Sequence, residues 1–168
     1  MQKDFNTDNV NTKEKDTVST AIDFFNFFSK KDFISMQNLY SSKHFTYFSD
    51  PVFQKLNLKE VQGMWKMLLE KPGNFTLDFS IISLKNNIVK VNWVANYTFS
   101  ATGKKVRNVV VTELTIVNYK IVKHTDHFNL CKWSCQALGF FKGALICSPI
   151  GINTFRKKAL NRLQAYLE

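Results

Sequence analysis

The stretch VKVNWVANYTF, from Val89 to Phe99, constrains the fold more than any other part of the chain. Val89, Val91, Trp93, Ala95, Tyr97 and Phe99 are apolar, while Lys90, Asn92, Asn96 and Thr98 alternate with them. Side chains of a strand point to opposite faces in turn, so this pattern requires a sheet with one buried side and one wet side. Turn signals at Asn86-Asn87, Thr102-Gly103 and Asn118-Tyr119 bracket further strands of the same kind and predict an antiparallel meander in the second half. A connection at Ala101 to Lys104 would pair Tyr97 with Asn108 and Trp93 with Thr112, placing Asn108 and Thr112 on the buried face.

The first half reads differently. Val18, Ala21, Ile22, Phe25 and Phe28 follow helical spacing from Asp16, and Asp32 caps a second pattern with Phe33, Met36 and Tyr40. HFTYFSDPVF, His44 to Phe53, reads as a short strand ending in a turn, because Pro51 holds Asp50 extended and removes a ladder donor. Asn57 and Glu60 open a third helix carrying Leu58, Val61, Met64, Trp65 and Leu68, which Pro72-Gly73 closes. Residues 1–15 are polar without periodicity and are expected to be a mobile tail, with one domain from 16 to 168. The expected class is α+β, with helices packed on a curved antiparallel sheet. TFRKKALNRLQAYL predicts an amphipathic basic helix over about 153–167.

The 168 residues suit one core, and 16 Phe residues suit a wide core or an apolar cavity. A net charge of +10 favours an acidic partner of some kind. ALGFFKGALICSPIGI is broken by Lys142, Pro149 and three glycines, so it does not read as a membrane span. Three cysteines cannot all pair within one chain, which favours a reduced, cytoplasmic setting.

Two short motifs carry candidate chemistry. In HTDHF the period of two puts His124, Asp126 and Phe128 on one face and His127 on the other, which argues against a three-ligand metal site. A strict two-residue turn at Asn118-Tyr119 would instead pair Glu113 with His124 on the face opposite Trp93, and a β-bulge would reconcile the two. His124 and Asp126 are then either an acid/base pair or a hydrogen-bonded structural pair. Asp50, among Tyr47, Phe48 and Phe53, is either a desolvated base with a raised pKa or a turn aspartate before proline. Trp65, Trp93 and Tyr97 are core or ligand-stacking groups. Cys131 and Cys135 stand four apart beside His127, compatible with metal ligation or with buried thiols. No phosphate loop or dinucleotide fingerprint appears, so no cofactor is expected.

The order of helix, helix, strand, helix and four strands, with SDPVF ending the first strand and YTFSATGKKVRN through YKIVKHTDHFNLCKWSCQALG closing the domain, resembles the nuclear transport factor 2-like superfamily. It looks like an uncharacterised bacterial SnoaL-like branch, related to ketosteroid isomerase, polyketide cyclases and limonene epoxide hydrolase. The resemblance implies a cone-shaped sheet closed by the first helices over an apolar pocket. It implies Asp50 as general base, Tyr97 and Phe99 on the pocket wall, and His124, Asp126 and Phe128 on the pocket face of the last strand. The expected function is then a pocket for a small apolar or cyclic, carbonyl-bearing ligand, with His124 and Asp126 as donor or orienting pair, Asn108, Thr112 and Tyr97 positioning its polar end, and Trp65, Trp93 and Phe128 around it. The isomerase's two oxyanion donors are matched by Phe24 and Thr112, a departure from its pattern. The alternative is a non-catalytic binding or assembly module using the cone as scaffold. A homodimer is the expected context, and the basic tail is expected to dock rather than bind nucleic acid or an anionic membrane.

Overall fold

The computed structural model describes residues 7–70 and 74–168, with side chains described from Lys15 onward. Three helices surround a short strand: α1 (Thr7–Ser29), α2 (Phe33–Asn38), β1 (Tyr47–Ser49) and α3 (Leu58–Leu69). Four long strands follow, β2 (Phe75–Lys85), β3 (Ile88–Phe99), β4 (Lys104–Val117) and β5 (Lys120–His127), and then α4 (Leu130–Leu138), α5 (Phe140–Ile146) and α6 (Pro149–Leu167). The chain is α+β, with the sheet ordered β1-β5-β4-β3-β2. Every pairing is antiparallel except β1 with β5, which is parallel.

Local chemistry accounts for the element ends. Asp32 accepts the Ser35 amide at the start of α2, and Asn57 and Glu60 form a reciprocal capping box on α3. Asn86-Asn87 and Asn118-Tyr119 all take positive φ, the conformation that two-residue hairpins need. α1 begins at Thr7, so the polar segment expected to be a tail is helical from there, and residues 1–6 lie outside the described residues. The closure of α3 expected at Pro72-Gly73 also lies outside them.

Two registers decide what faces the core. Between β3 and β4, Phe99 pairs with Lys104, Ala95 with Asn108 and Val91 with Thr112. The expected pairings of Tyr97 with Asn108 and Trp93 with Thr112 are therefore corrected by two residues. The turn closes one residue earlier than expected because Gly103, at φ 69°, is the left-handed residue that ends it. A slip of two preserves the faces, so Asn108 and Thr112 remain on the Trp93 side. Between β4 and β5, Ile116 pairs with Ile121 but Thr115 pairs with Lys123, leaving Val122 as the extra residue of a bulge. That bulge turns His124 and Asp126 inward, 1% and 5% exposed.

Phe24, Phe25 and Phe28 of α1 pack with Trp65 and Trp93 between helices and sheet, with Phe25 against Phe79 and Phe28 against Phe75. α6 lies against α3, with Leu163 fully buried and Leu167 over Gly63. It starts at Pro149, capped by Ser148, earlier than the basic run alone suggests.

Candidate active site

A cavity of about 380 Å3, open to solvent, lies between the inner face of the sheet, α3 and α6. Its walls are mainly apolar: Phe28, Phe48, Phe53, Met64 and Trp65 meet Trp93, Phe99, Phe128, Trp133 and Phe155. Asp50, Asp126, Tyr97 and Asn108 place polar groups among them, and Lys31, Lys158 and Arg162 add bases.

Asp50 serves the turn and the cavity together. Its Oδ1 accepts the amide hydrogens of Val52, at 2.6 Å, and Phe53, at 2.5 Å, as a turn aspartate does. Its Oδ2 has no protein partner among the described residues, and no buried polar side-chain atom there lacks a hydrogen bond, so Oδ2 opens to the cavity. Burial pushes its pKa up from 3.8 to about 7, the Asp126 charge adds to the rise, and the two amide hydrogen bonds and Arg156 oppose it. Arg156 itself donates to the Pro51 carbonyl at 3.0 Å, tying α6 to this turn.

Asp126 is held from behind. The Trp65 indole N–H donates to the Tyr40 oxygen at 2.9 Å, and the Tyr40 hydroxyl lies 2.8 Å from His124 Nδ1. Nε2 of the same ring, carrying its N–H toward the carboxylate, which can only accept when ionised, lies 2.9 Å from Asp126 Oδ1. From the other side Trp93 Nε1 donates to Thr112 Oγ1 at 2.7 Å, and Thr112 donates to the same Oδ1. Two chains of donors thus converge on one oxygen, and Asp126 Oδ2 is left for the cavity. Burial holds the Tyr40 phenol well above its usual pKa, so it remains a donor.

Two further groups face the cavity with unused capacity. Trp133 Nε1 donates to the Tyr97 oxygen at 2.7 Å, leaving the Tyr97 proton without an acceptor among the described residues, and burial raises the Tyr97 pKa so that the proton stays on. The Asn108 amide has no hydrogen-bond partner there either.

Of the residues singled out from sequence, Asp50, Asp126, Trp65, Trp93, Tyr97, Asn108 and Phe128 line one cavity. His124 and Thr112 are not among its lining residues; both sit behind Asp126 and hydrogen-bond its Oδ1. Phe24 packs edge-on to His124. Sequence reading missed Tyr40, Trp133 and Phe155. Tyr40 was legible as a helix-face aromatic but not as a hydrogen-bond donor, and the other two arrive from helices outside the sheet. Cys131 is bonded to Cys147 rather than grouped with Cys135, and no group of three metal-ligating side chains occurs among the described residues. Cys135 is left as the free cysteine. Among the described residues no helix is long and apolar enough to cross a membrane.

Solved structures share this architecture. A candidate polyketide cyclase from Xanthomonas campestris pv. campestris superposes with a TM-score of 0.63 at 11% identity, over 74% of this chain and 98% of that one. The chain has the nuclear transport factor 2-like fold. A candidate isomerase from Bacillus subtilis gives a TM-score of 0.61 at 17% identity, covering 75% of this chain and 94% of its own. An LEH-like epoxide hydrolase from M. tuberculosis gives 0.59 at 11% identity, covering 80% and 96%. No family model and no curated protein sequence matches the chain. At these identities the likeness is one of fold, and chemistry must be argued from the cavity itself.

Proposed function

We propose that the protein binds an apolar or cyclic, carbonyl-bearing small molecule in the cone and moves a proton on it, with Asp50 as the base. The observation that carries this reading is a single apolar cavity presenting the free oxygens of Asp50 and Asp126 together, with Asp50 poised at about pH 7. A base in that range is half ionised at neutral pH, so it can both take and return a proton.

In the step envisaged, ionised Asp50 removes a proton from the carbon beside the ligand carbonyl. The electron pair of that C–H bond becomes a carbon–carbon double bond as the carbonyl π pair moves onto oxygen, which the Tyr97 hydroxyl and the Asn108 amide hydrogen-bond, and Asp50, now a carboxylic acid, returns the proton to the same or a conjugated carbon as the carbonyl reforms. Tyr97 and Asn108 would supply the oxyanion contacts that Phe24 and Thr112 cannot. Trp65, Trp93 and Phe128 would enclose the ligand body, and Lys158 and Arg162 would accommodate an acidic substituent. Asp126, fixed by His124 and Thr112, would act as a positioning residue that keeps Asp50 in its working range. The structural neighbours named as cyclase, isomerase and epoxide hydrolase agree with acid–base work on a small molecule in such a pocket.

The test is proton–deuterium exchange at the α-carbon of a panel of cyclic ketones and β-keto esters, followed by NMR in D2O. Wild-type protein should accelerate exchange for some members, with a rate that rises with pH and levels off above about 7. Asp50→Asn should lose roughly 100-fold or more of that acceleration, the usual share of a positioned base. Exchange retained in full by Asp50→Asn would contradict the assignment.

A further inference from the structure

The most exposed apolar surface of the molecule lies on α5 and the start of α6. Phe140, Phe141, Leu145 and Ile150 are 72%, 85%, 71% and 81% exposed. Single exposed apolar side chains are ordinary, but adjacent ones on one short helix and its continuation make a patch.

The packing fixes which face is outward. At Gly143 a Cβ would come within 2.4 Å of the Cys135 backbone, so only glycine lets α5 approach α4 this closely. Ser134 Oγ donates to the Gly143 carbonyl at 3.1 Å, Ile146 is buried, and Cys147 is bonded to Cys131. Gly143, Ile146 and Cys147 therefore occupy the inner side of α5, and helical spacing turns Phe141 and Leu145 to the opposite side.

The electrostatic setting has one sign. Lys142 stands within the patch, and the Lys104 side chain lies over Gly139 at its edge. From Phe128 to Leu167 the chain carries Lys132, Lys142, Arg156, Lys157, Lys158 and Arg162 and not one acid. Of these the patch itself carries Lys142, with Lys104 at its edge, and two such faces would set lysine against lysine, which disfavours a second copy of this chain as the occupant. Aromatic and aliphatic side chains interleaved with lysine match the interface of an anionic bilayer, where apolar groups enter the acyl boundary and cations meet the headgroups.

We infer that α5 and the first turn of α6 dock the protein on an anionic lipid surface, with Phe140, Phe141, Leu145 and Ile150 inserted and Lys104 and Lys142 against the headgroups. The helix lies on the bilayer and does not span it. This is independent of the chemistry proposed for the cavity.

Co-sedimentation of the full chain, disulfide intact, with vesicles of phosphatidylcholine and phosphatidylglycerol tests it against vesicles of phosphatidylcholine alone. Wild-type protein should sediment with the mixed vesicles, less with the neutral ones, and less as salt rises. Phe141→Ser/Leu145→Ser should keep its thermal unfolding and weaken association with the mixed vesicles roughly tenfold or more, as removing two inserting side chains requires. Failure of the wild type to sediment with mixed vesicles, or equal sedimentation of the double variant, would overturn the inference. A dimer in sedimentation equilibrium that the double variant dissolves would also overturn it, assigning the patch to a second copy.

Discussion

At Asp50 the turn before Pro51 and the cavity divide one carboxylate between them, Oδ1 held by two amides and Oδ2 opening to the pocket. The turn aspartate and the pocket base are alternatives in the sequence; the structure shows the turn geometry, and a carboxylate with two acceptors leaves one oxygen for the base role proposed above. The raised pKa has a cost in stability whose sign can be worked out. Between its ordinary value of 3.8 and about 7 the folded chain holds a proton that the unfolded chain has released, so this group's contribution to stability falls as pH rises through that window and is flat above it. Asn keeps the oxygen that accepts from Val52 and Phe53 but cannot ionise. Asp50→Asn should therefore remove the fall and be the more stable protein at pH 8, by up to a few kcal/mol. Urea unfolding of both proteins from pH 4 to pH 8 measures this, and parallel curves would show that Asp50 ionises without penalty. His124 and Thr112 were readable as inward-facing residues from period and register. The pairing of His124 with Asp126 was readable too, but the outer links of the two chains were not, because they depend on Tyr40 and Trp93 reaching His124 and Thr112 from α2's end and β3.

Among the elements, β5 shows how far patterning goes. The conflict between the Asn118-Tyr119 turn and the inward side of HTDHF was visible in the sequence, and a bulge was the remedy, but which residue it would use was not. The structure uses Val122, whose carbonyl accepts from Thr46 near β1, so the bulge is fixed by a strand 76 residues away. α6 is the second case. Its basic run and its apolar stripe were both legible, and the docked stripe is set by Leu163 at zero exposure and Leu167 over Gly63. The exposed stripe on α5 was not legible, because ALGFFKGALIC carries no period that separates a covered face from an open one. Leu163→Ala should cost about 2–5 kcal/mol, as a fully buried leucine does, while Leu145→Ala should stay within about 0.5 kcal/mol. Thermal unfolding of the two variants compares them. A near-neutral Leu163→Ala would mean that α6 contributes little to the domain.

Across the whole molecule, the helices supply Phe24, Phe25, Phe28 and Trp65, and the sheet supplies Trp93 and the inward ends of β4 and β5. The aromatic surplus seen in composition is used twice, once to fill the core behind Asp126 and once to wall the cavity in front of it. A cavity with few polar groups leaves each carboxylate in it poorly solvated, and two of one sign facing the same space must influence each other. That coupling is the centre of the account, and carboxyl 13C NMR reads it directly. With aspartate carboxyls labelled and Asp50 assigned by its loss in Asp50→Asn, the Asp50 resonance should titrate near pH 7 in the wild type and at lower pH in Asp126→Asn. An Asp50 midpoint near 3.8 in the wild type, unmoved by Asp126→Asn, would contradict it.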